Sequence, residues 1–480
     1  MPHALQQGIF ASRQTGDRYY LPRYLGRYAA FEAAHGRVSH SEALFDEATD
    51  IVNGMLANVS SSSAESDLVS AMNDIYLGHF RVEAERGNTE KAFQIVEQAR
   101  ARALSDFLRR RPYLKATNEV PEAEKRISEL QIQLWKNQSS SDRKRLLDEI
   151  FDAERQFGPE QARTYQRWMQ VQAHLPSMQR VLSAIRGDEA IVEFVTATPA
   201  SYAFVVTHQK LTLHRLAQRT EIDEAVKNHV DAINTRRSTQ ETGKRLYSLL
   251  LKPLNSRIES PRLVVVRDGT LFQIPFESLM DETGQMLLEG KIISYAPSLY
   301  VLALLREQER RRDEEGLLLA VSSSSKPISR QQPAMPASSA TFRAASVFDR
   351  TGINLSSLTA ANDEVHDIAT VFGTASSILL DADEATFKKA NLSKFQMIHL
   401  AVHGLADTKD PGRSMLIFRP DPASGEDGFL QAREIALLPL RADLVTLAAC
   451  ETAAGRVNGE RRDSESGSAI LDRRSKKCSC

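Results

Sequence analysis

Cysteine is nearly absent from this chain of 480 residues: there are three, Cys450, Cys478 and Cys480, all at or beyond position 450. That scarcity excludes a disulfide framework and argues for a reducing, cytoplasmic setting. Long apolar runs are missing as well. The longest, such as "RLVVV" and "GLLLAV", fall far short of the ~20 residues a membrane helix needs. The opening "MPHALQQGIFASRQTGDRYY" has no apolar signal-peptide core. An excess of one charge sign is lacking too: 61 basic and 62 acidic residues give a formal net charge of −1, so no global field argues for nucleic acid or a membrane surface. No Gly-x-Gly-x-x-Gly or P-loop follows an apolar run, which leaves little support for nucleotide binding. What remains is an ordinary globular composition, 42% hydrophobic and 26% charged. The length allows about three domains at roughly 150 residues each.

Periodicity divides the chain. Residues 41–110 read as helices. "SEALFDEATDIVNGML" starts at Ser41 as a plausible N-cap. "SDLVSAMNDIYLGHFRVEAERGNTEKAFQIVEQARARALSDFL" gives two amphipathic helices, with Gly87 and Asn88 ending one and Thr89 capping the next. Helix, short turn, helix, with Tyr76, Gly78 and Ala92 at tetratricopeptide-like places, predicts a repeat of about 34 residues. We assign 1–115 to tetratricopeptide-like helices and 116–175 to a charged helical hairpin bending at the serines 139–141. From 188 the period shortens: "EAIVEFVTATPASYAFVVTHQKLTLHRL" predicts two or three strands with turns at Pro199 and 208–210. A helix over 223–251, the strand "RLVVV" and a tight turn at Asp268-Gly269 follow. Residues 185–315 thus form a first α/β part. After a Ser/Pro/Ala-rich loop at 322–346, strands and helices alternate, which predicts a mostly parallel sheet with helices on both faces in a core over 316–460. Residues 461–480 read as a polar, disordered tail.

Two apolar runs of strand length in that core stop on reactive side chains: "MIHLAVHG" on His403 and "LVTLAAC" on Cys450. In an open parallel sheet, functional groups gather at the carboxyl ends of the strands. If the two strands are neighbours, both side chains emerge at one rim. An imidazole there would lower the thiol pKa and shuttle its proton. The N–H groups of Gly404 and Cys450 could serve as an oxyanion hole. The same residues also fit an inert buried thiol and a histidine without function. Metal ligation fits poorly: on a strand, His399 and His403 would stand about 13 Å apart at roughly 3.3 Å per residue.

Several ordered segments resemble one family. "FQMIHLAVHGLADTKDPGRSMLIFRPD" and "GEDGFLQAREIALLPLRADLVTLAACETAAG" look like the core of the CHAT domain, a caspase-like cysteine peptidase domain found with tetratricopeptide repeats. "LVVVRDGTLFQIPFESLMDETGQMLLEGKIISYAPSLYVL" resembles the segment that precedes that core, and "LTAANDEVHDIATVFG" and "ILLDADEATFKKA" its first helices. The resemblance covers 185–460. It implies a caspase-like α/β fold and a dyad of His403, the general acid/base, and Cys450, the nucleophile. Glu451 and Asp427 fall in motif positions and are expected to shape the site. The implied reaction is peptide-bond hydrolysis without metal or organic cofactor. The implied partner is a protein, substrate or regulator, met through the N-terminal helices. The chain departs from the family after Gly459-Glu460, where the polar "RRDSESGSAILDRRSKKCSC" stands in place of a further strand and helices. The expectation is therefore an incomplete core, an exposed edge at the Cys450 strand and impaired activity. The alternative function is a non-catalytic scaffold that binds through its helices.

Overall fold

The computed structural model describes residues 2–17, 19–57, 62–100, isolated helical positions between 126 and 153, 177–307, 316–323, 358, 360–405, 414–419, 426–435 and 438–448. The expected bend at 139–141, most of the 322–346 loop, Cys450, Glu451 and the tail lie outside the described residues. Four helices open the chain: α1 (Pro2–Thr15), α2 (Leu21–Ala34), α3 (Val38–Ala57) and α4 (Ser62–Glu85). Residues 89–100 continue as α5. Two of these precede the first helix expected from the sequence. Their signal is Leu5 and Ile9, then Leu25, Tyr28 and Ala29, apolar at helical spacing and buried.

Ser41 does not cap α3. Its N–H already bonds to Arg37 O at 3.0 Å, so the first turn closes earlier, and its buried hydroxyl donates to Ala29 O at 2.7 Å. Asn88, not Thr89, holds the cap position of α5, since its carbonyl accepts from Ala92 N at 2.9 Å. Gly87 makes the turn before it at φ +77°. Gly78 lets α4 lie close on α3: a Cβ there would meet Phe45 Cζ at 2.7 Å.

After α6 (Met178–Ser183), the first sheet has strand order β3-β2-β1-β4-β5, with β1 (Glu189–Val195), β2 (Tyr202–Val206), β3 (Leu211–Arg215), β4 (Arg262–Val266) and β5 (Ile292–Tyr295). It is mixed rather than parallel. The links from β1 to β2 and from β2 to β3 are too short for a crossover, so those strands pair antiparallel, while β1, β4 and β5 run parallel. Alternation assigns the two faces. Ala190, Val192, Phe194, Val205 and Val265 pack with α7 (Arg219–Asn234) and α8 (Gln240–Leu250). The single helix expected over 223–251 is these two. A straight helix of that span would be about 43 Å long, far more than a five-residue strand. The chain breaks at Arg236, with φ 53°, and folds back.

The opposite face of β1 and β2, with Ile191, Val195, Phe204 and Val206, packs against the N-terminal helices and α9 (Leu299–Glu307). Edge-to-face rings join the layers: Phe80 with Tyr202 at 5.2 Å, Phe93 with Phe204 at 5.3 Å and with Tyr300 at 5.7 Å. The period of two also turns Glu193 toward the helices. There Arg100 of α5 donates to Glu193 Oε1 at 2.8 Å and to Phe194 O at 2.6 Å, and pairs with Asp268 at 3.0 Å. Glu97 accepts from Leu299 N at 2.8 Å and Tyr300 N at 2.7 Å, capping the start of α9. Burial pushes both carboxyls above the ordinary range, and the field of Glu97 adds to the push on Glu193. One buried charge network thus ties the helices to the sheet.

The second sheet is wholly parallel, in the order β12-β8-β6-β7: β6 (Gly316–Ser322), β7 (Ser376–Leu379), β8 (Phe395–Ala401) and β12 (Leu444–Leu447). Leu318, Ala320 and Ala401 face α10 (Ala361–Phe372). Leu319, Val321, Ile398 and Leu400 face α11 (Glu384–Lys389) and a three-stranded antiparallel sheet, β11-β10-β9. The second face is therefore only partly helical. The small strands are β9 (His403–Leu405), β10 (Met415–Ile417) and β11 (Phe429–Gln431). Among the described residues, no helix is long and apolar enough to cross a membrane.

Removing the Arg100 cation leaves the buried Glu193 and the half-buried Asp268 without their shared partner. Arg100→Ala is expected to destabilise the fold by about 3–5 kcal/mol, measured by urea denaturation. A change below about 1 kcal/mol would show that the junction rests on the aromatic contacts alone.

Candidate active site

The parallel strands of the second sheet end along one rim. β8 and β12 are direct neighbours there, with Leu400 opposite Leu447 and the ladder continued by Ala448 N to Leu400 O at 3.0 Å. His403 and Cys450 each follow by three residues the partners of that last pair. His403 is described: it is buried and opens β9, opposite Ile417 of β10. Gly404, also buried, stands opposite Leu416. Cys450 and Glu451 lie outside the described residues. The expected continuous run "MIHLAVHG" is interrupted at Val402. There the chain leaves the parallel sheet for the antiparallel one, which gives His403 a different set of neighbours from His399. His399, the other histidine of the run, faces α10, where Nε2 meets Glu364 Oε1 at 2.9 Å.

Serines missed by sequence reading line the same rim. Ser322, expected in the loop, ends β6 instead, and Ser323 is buried beside it. Ser323 Oγ donates to Ala382 O at 2.9 Å and accepts from Arg419 N at 2.7 Å. Arg419 in turn donates to Asp381 O at 3.0 Å and to Asp383 Oδ2 at 3.1 Å. These bonds tie the ends of β6 and β10 to the turn before α11. The only sequence signal was a serine run directly after an apolar strand, which a loop explains equally well.

Asp427, expected to shape the site, is buried just before β11. Its Oδ1 accepts from Phe429 N at 2.8 Å, and among the described residues Oδ2 has no hydrogen-bond partner. It belongs to a cluster the sequence did not reveal. Lys388 Nζ stands 2.7 Å from Glu384 Oε1, 2.8 Å from Glu426 Oε2 and 2.7 Å from Glu434 Oε1. Those three carboxylates lie within 4.8 Å of one another, close enough to hold a metal ion. The centre is taken by the lysine ammonium, so the cluster carries its own cation. Burial pushes the Glu384 carboxyl up to about 7, with the field of Glu434 adding to it. Burial, followed by the Glu384 field, also raises Asp427 well above the ordinary range. Burial opposes the charge on Lys388, but the Glu434 and Glu384 carboxylates outweigh it and hold the ammonium protonated.

Raised and lowered acids set opposite limits on stability. Glu384, with Glu97 and Glu193, has a folded pKa above the unfolded value. Its contribution is complete below about pH 4.3 and fades as pH rises through about 7. Glu32 and Glu42 are held near 2, Glu32 first by its hydrogen bond from Arg37 and Glu42 first by that from Lys91. Their contribution is present above about pH 4.5 and lost toward pH 2. Urea midpoints are therefore expected to peak between about pH 4.5 and 6 and to be lower at pH 8. A midpoint that rises from pH 5 to pH 8 would contradict the assigned directions.

The family model of the CHAT domain matches residues 240–469, from the start of α8 through both reactive-residue strands. No curated protein matches the chain.

Proposed function

We propose, from the match of residues 240–469 to the family model of the CHAT domain, that the chain is a caspase-like cysteine endopeptidase acting through His403 and Cys450. The observation that carries the reading is the parallel pairing of β8 with β12 in matched register, from which each reactive residue follows at the same offset. In this reading His403 takes the Cys450 proton and the thiolate adds to a peptide carbonyl carbon. The oxyanion is met by the N–H groups of Gly404 and Cys450, each donor typically worth roughly 3 kcal/mol of barrier. His403 then returns the proton to the leaving amine, and a water deprotonated by the same imidazole hydrolyses the thioester. Asp427 and Glu451 act by shaping the site. The N-terminal helices, read as tetratricopeptide-like, receive a protein partner or substrate.

A non-catalytic scaffold is the second reading, and one observation favours it. All four residues of β12 are exposed, and among the described residues the strand is paired on one side only. A loosely held strand would place Cys450 poorly, and misplacement by about 1 Å can cost on the order of a hundredfold in rate.

The two readings separate in the pH dependence of alkylation by iodoacetamide, followed by mass spectrometry. Cys450 is expected to react well below pH 8 and to lose that reactivity in His403→Ala, with Cys478 and Cys480 as internal standards of an ordinary thiol. A Cys450 that tracks those two, or does not react, leaves the scaffold reading.

A further inference from the structure

Behind the strand of His403 lies charge that the proposed chemistry does not use. β9 pairs with β10, and β10 with β11. The entry to β11 is held by carboxylates along its backbone: Gly428 N donates to Glu384 Oε2 at 2.8 Å, Phe429 N to Asp427 Oδ1 at 2.8 Å and Gln431 N to Glu434 Oε2 at 2.8 Å. Two of those three acids, Glu384 and Glu434, are also gripped by Lys388. Glu426 is its third partner. One ammonium thus faces Glu384 of its own helix and Glu426 and Glu434 from the segments flanking β11, with Asp427 buried in the same field. Asp383, one residue before α11, is engaged separately by Arg419.

Like charges at this spacing repel, and in a buried setting the repulsion is large unless a cation or a proton intervenes. The charge of Lys388, or protonation of the acids, relieves that repulsion. We propose that Lys388 is the positioning residue of His403, acting through Glu384, Glu434 and Asp427 on the backbone of β11 and so on the sheet that β9 completes. The catalytic consequence rests on the dyad reading, but the hold on the sheet does not.

Lys388→Met keeps most of the aliphatic stem and removes the charge, so the test is made in the full-length chain by hydrogen exchange at pH 5.5 and pH 8, corrected for intrinsic rates. At pH 8, segments 403–405 and 427–431 are expected to exchange at least about tenfold faster than in the wild type, while β1 and β4 are unchanged. At pH 5.5, where more of the acids carry protons, the difference shrinks, and Lys388→Arg restores protection at both values. Glu384→Gln keeps an oxygen to accept from Gly428 N and removes the group that titrates near neutrality. It is expected to flatten the wild-type loss of protection between the two pH values, which keeps the test open even if Lys388→Met fails to fold. Equal protection in Lys388→Met and wild type at pH 8, or a deficit of the same size at both pH values, overturns the proposal: the lysine would then be packing alone. Cys450 alkylation, run on the same samples, should keep its His403-dependent excess over Cys478 and Cys480 at pH 5.5 in Lys388→Met and lose it toward pH 8, where exchange rises. A wild-type Cys450 without His403-dependent reactivity defeats the dyad reading, and the exchange result still decides the positioning.

Discussion

The parallel ladder between β8 and β12 is the constraint on which the candidate site depends, because it decides whether two reactive residues far apart in sequence share a rim. Parallel pairing sends both chains out of the sheet in the same direction. The bonded register, Leu400 against Leu447, then gives His403 and Cys450 equal distances to run. An antiparallel pairing would send the two residues to opposite ends of the sheet. A shift by one residue would turn the side chains of β12 to its other face.

The ladder is only as good as what supports its two ends. On the histidine side the support is dense. The chain leaves the parallel sheet after Ala401 and enters the small antiparallel sheet at once. That sheet lies over Leu319, Ile398 and Leu400 and is fastened at β11 by carboxylates around one lysine. On the cysteine side β12 is an exposed edge among the described residues. The asymmetry makes sense of both functional readings: an imidazole built into a fixed frame, and a thiol whose placement depends on a strand held from one side.

Buried charge recurs as the fastening device. At the junction of helices and first sheet, Arg100 joins Glu193 and Asp268 while Glu97 caps α9. Behind β11, Lys388 joins three glutamates. In both places an acid is forced above its usual pKa by burial next to another acid. Such networks add little net stability over a well-packed apolar core, but they punish misplacement of any member. Specific placement is what a site assembled where a parallel and an antiparallel sheet meet requires.

Much of this was legible in the sequence. The strands of the second sheet were visible because each is a short apolar run between turn signals, and the alternation with α10 and α11 announced parallel pairing. His403 and Gly404 stood out as a reactive residue and a glycine at a strand end. Lys388, Glu384 and Glu434 did not. Charged residues on short helices read as solvent-facing, and nothing in a single sequence says that α11 and the short helical turn Ala432–Ile435, some forty positions apart, turn their charges toward each other. The split of 223–251 was hidden for a similar reason, since its break is set by the width of the sheet beneath it. The measurement closest to the central claim is a distance. In His403→Cys under mild oxidation, the introduced thiol is expected to pair with Cys450, since a disulfide requires Cα atoms within about 7 Å. Mass spectrometry should find that cross-link ahead of any to Cys478 or Cys480. If the introduced thiol pairs with the tail cysteines instead, or stays free while Cys450 is reactive, the shared rim does not exist.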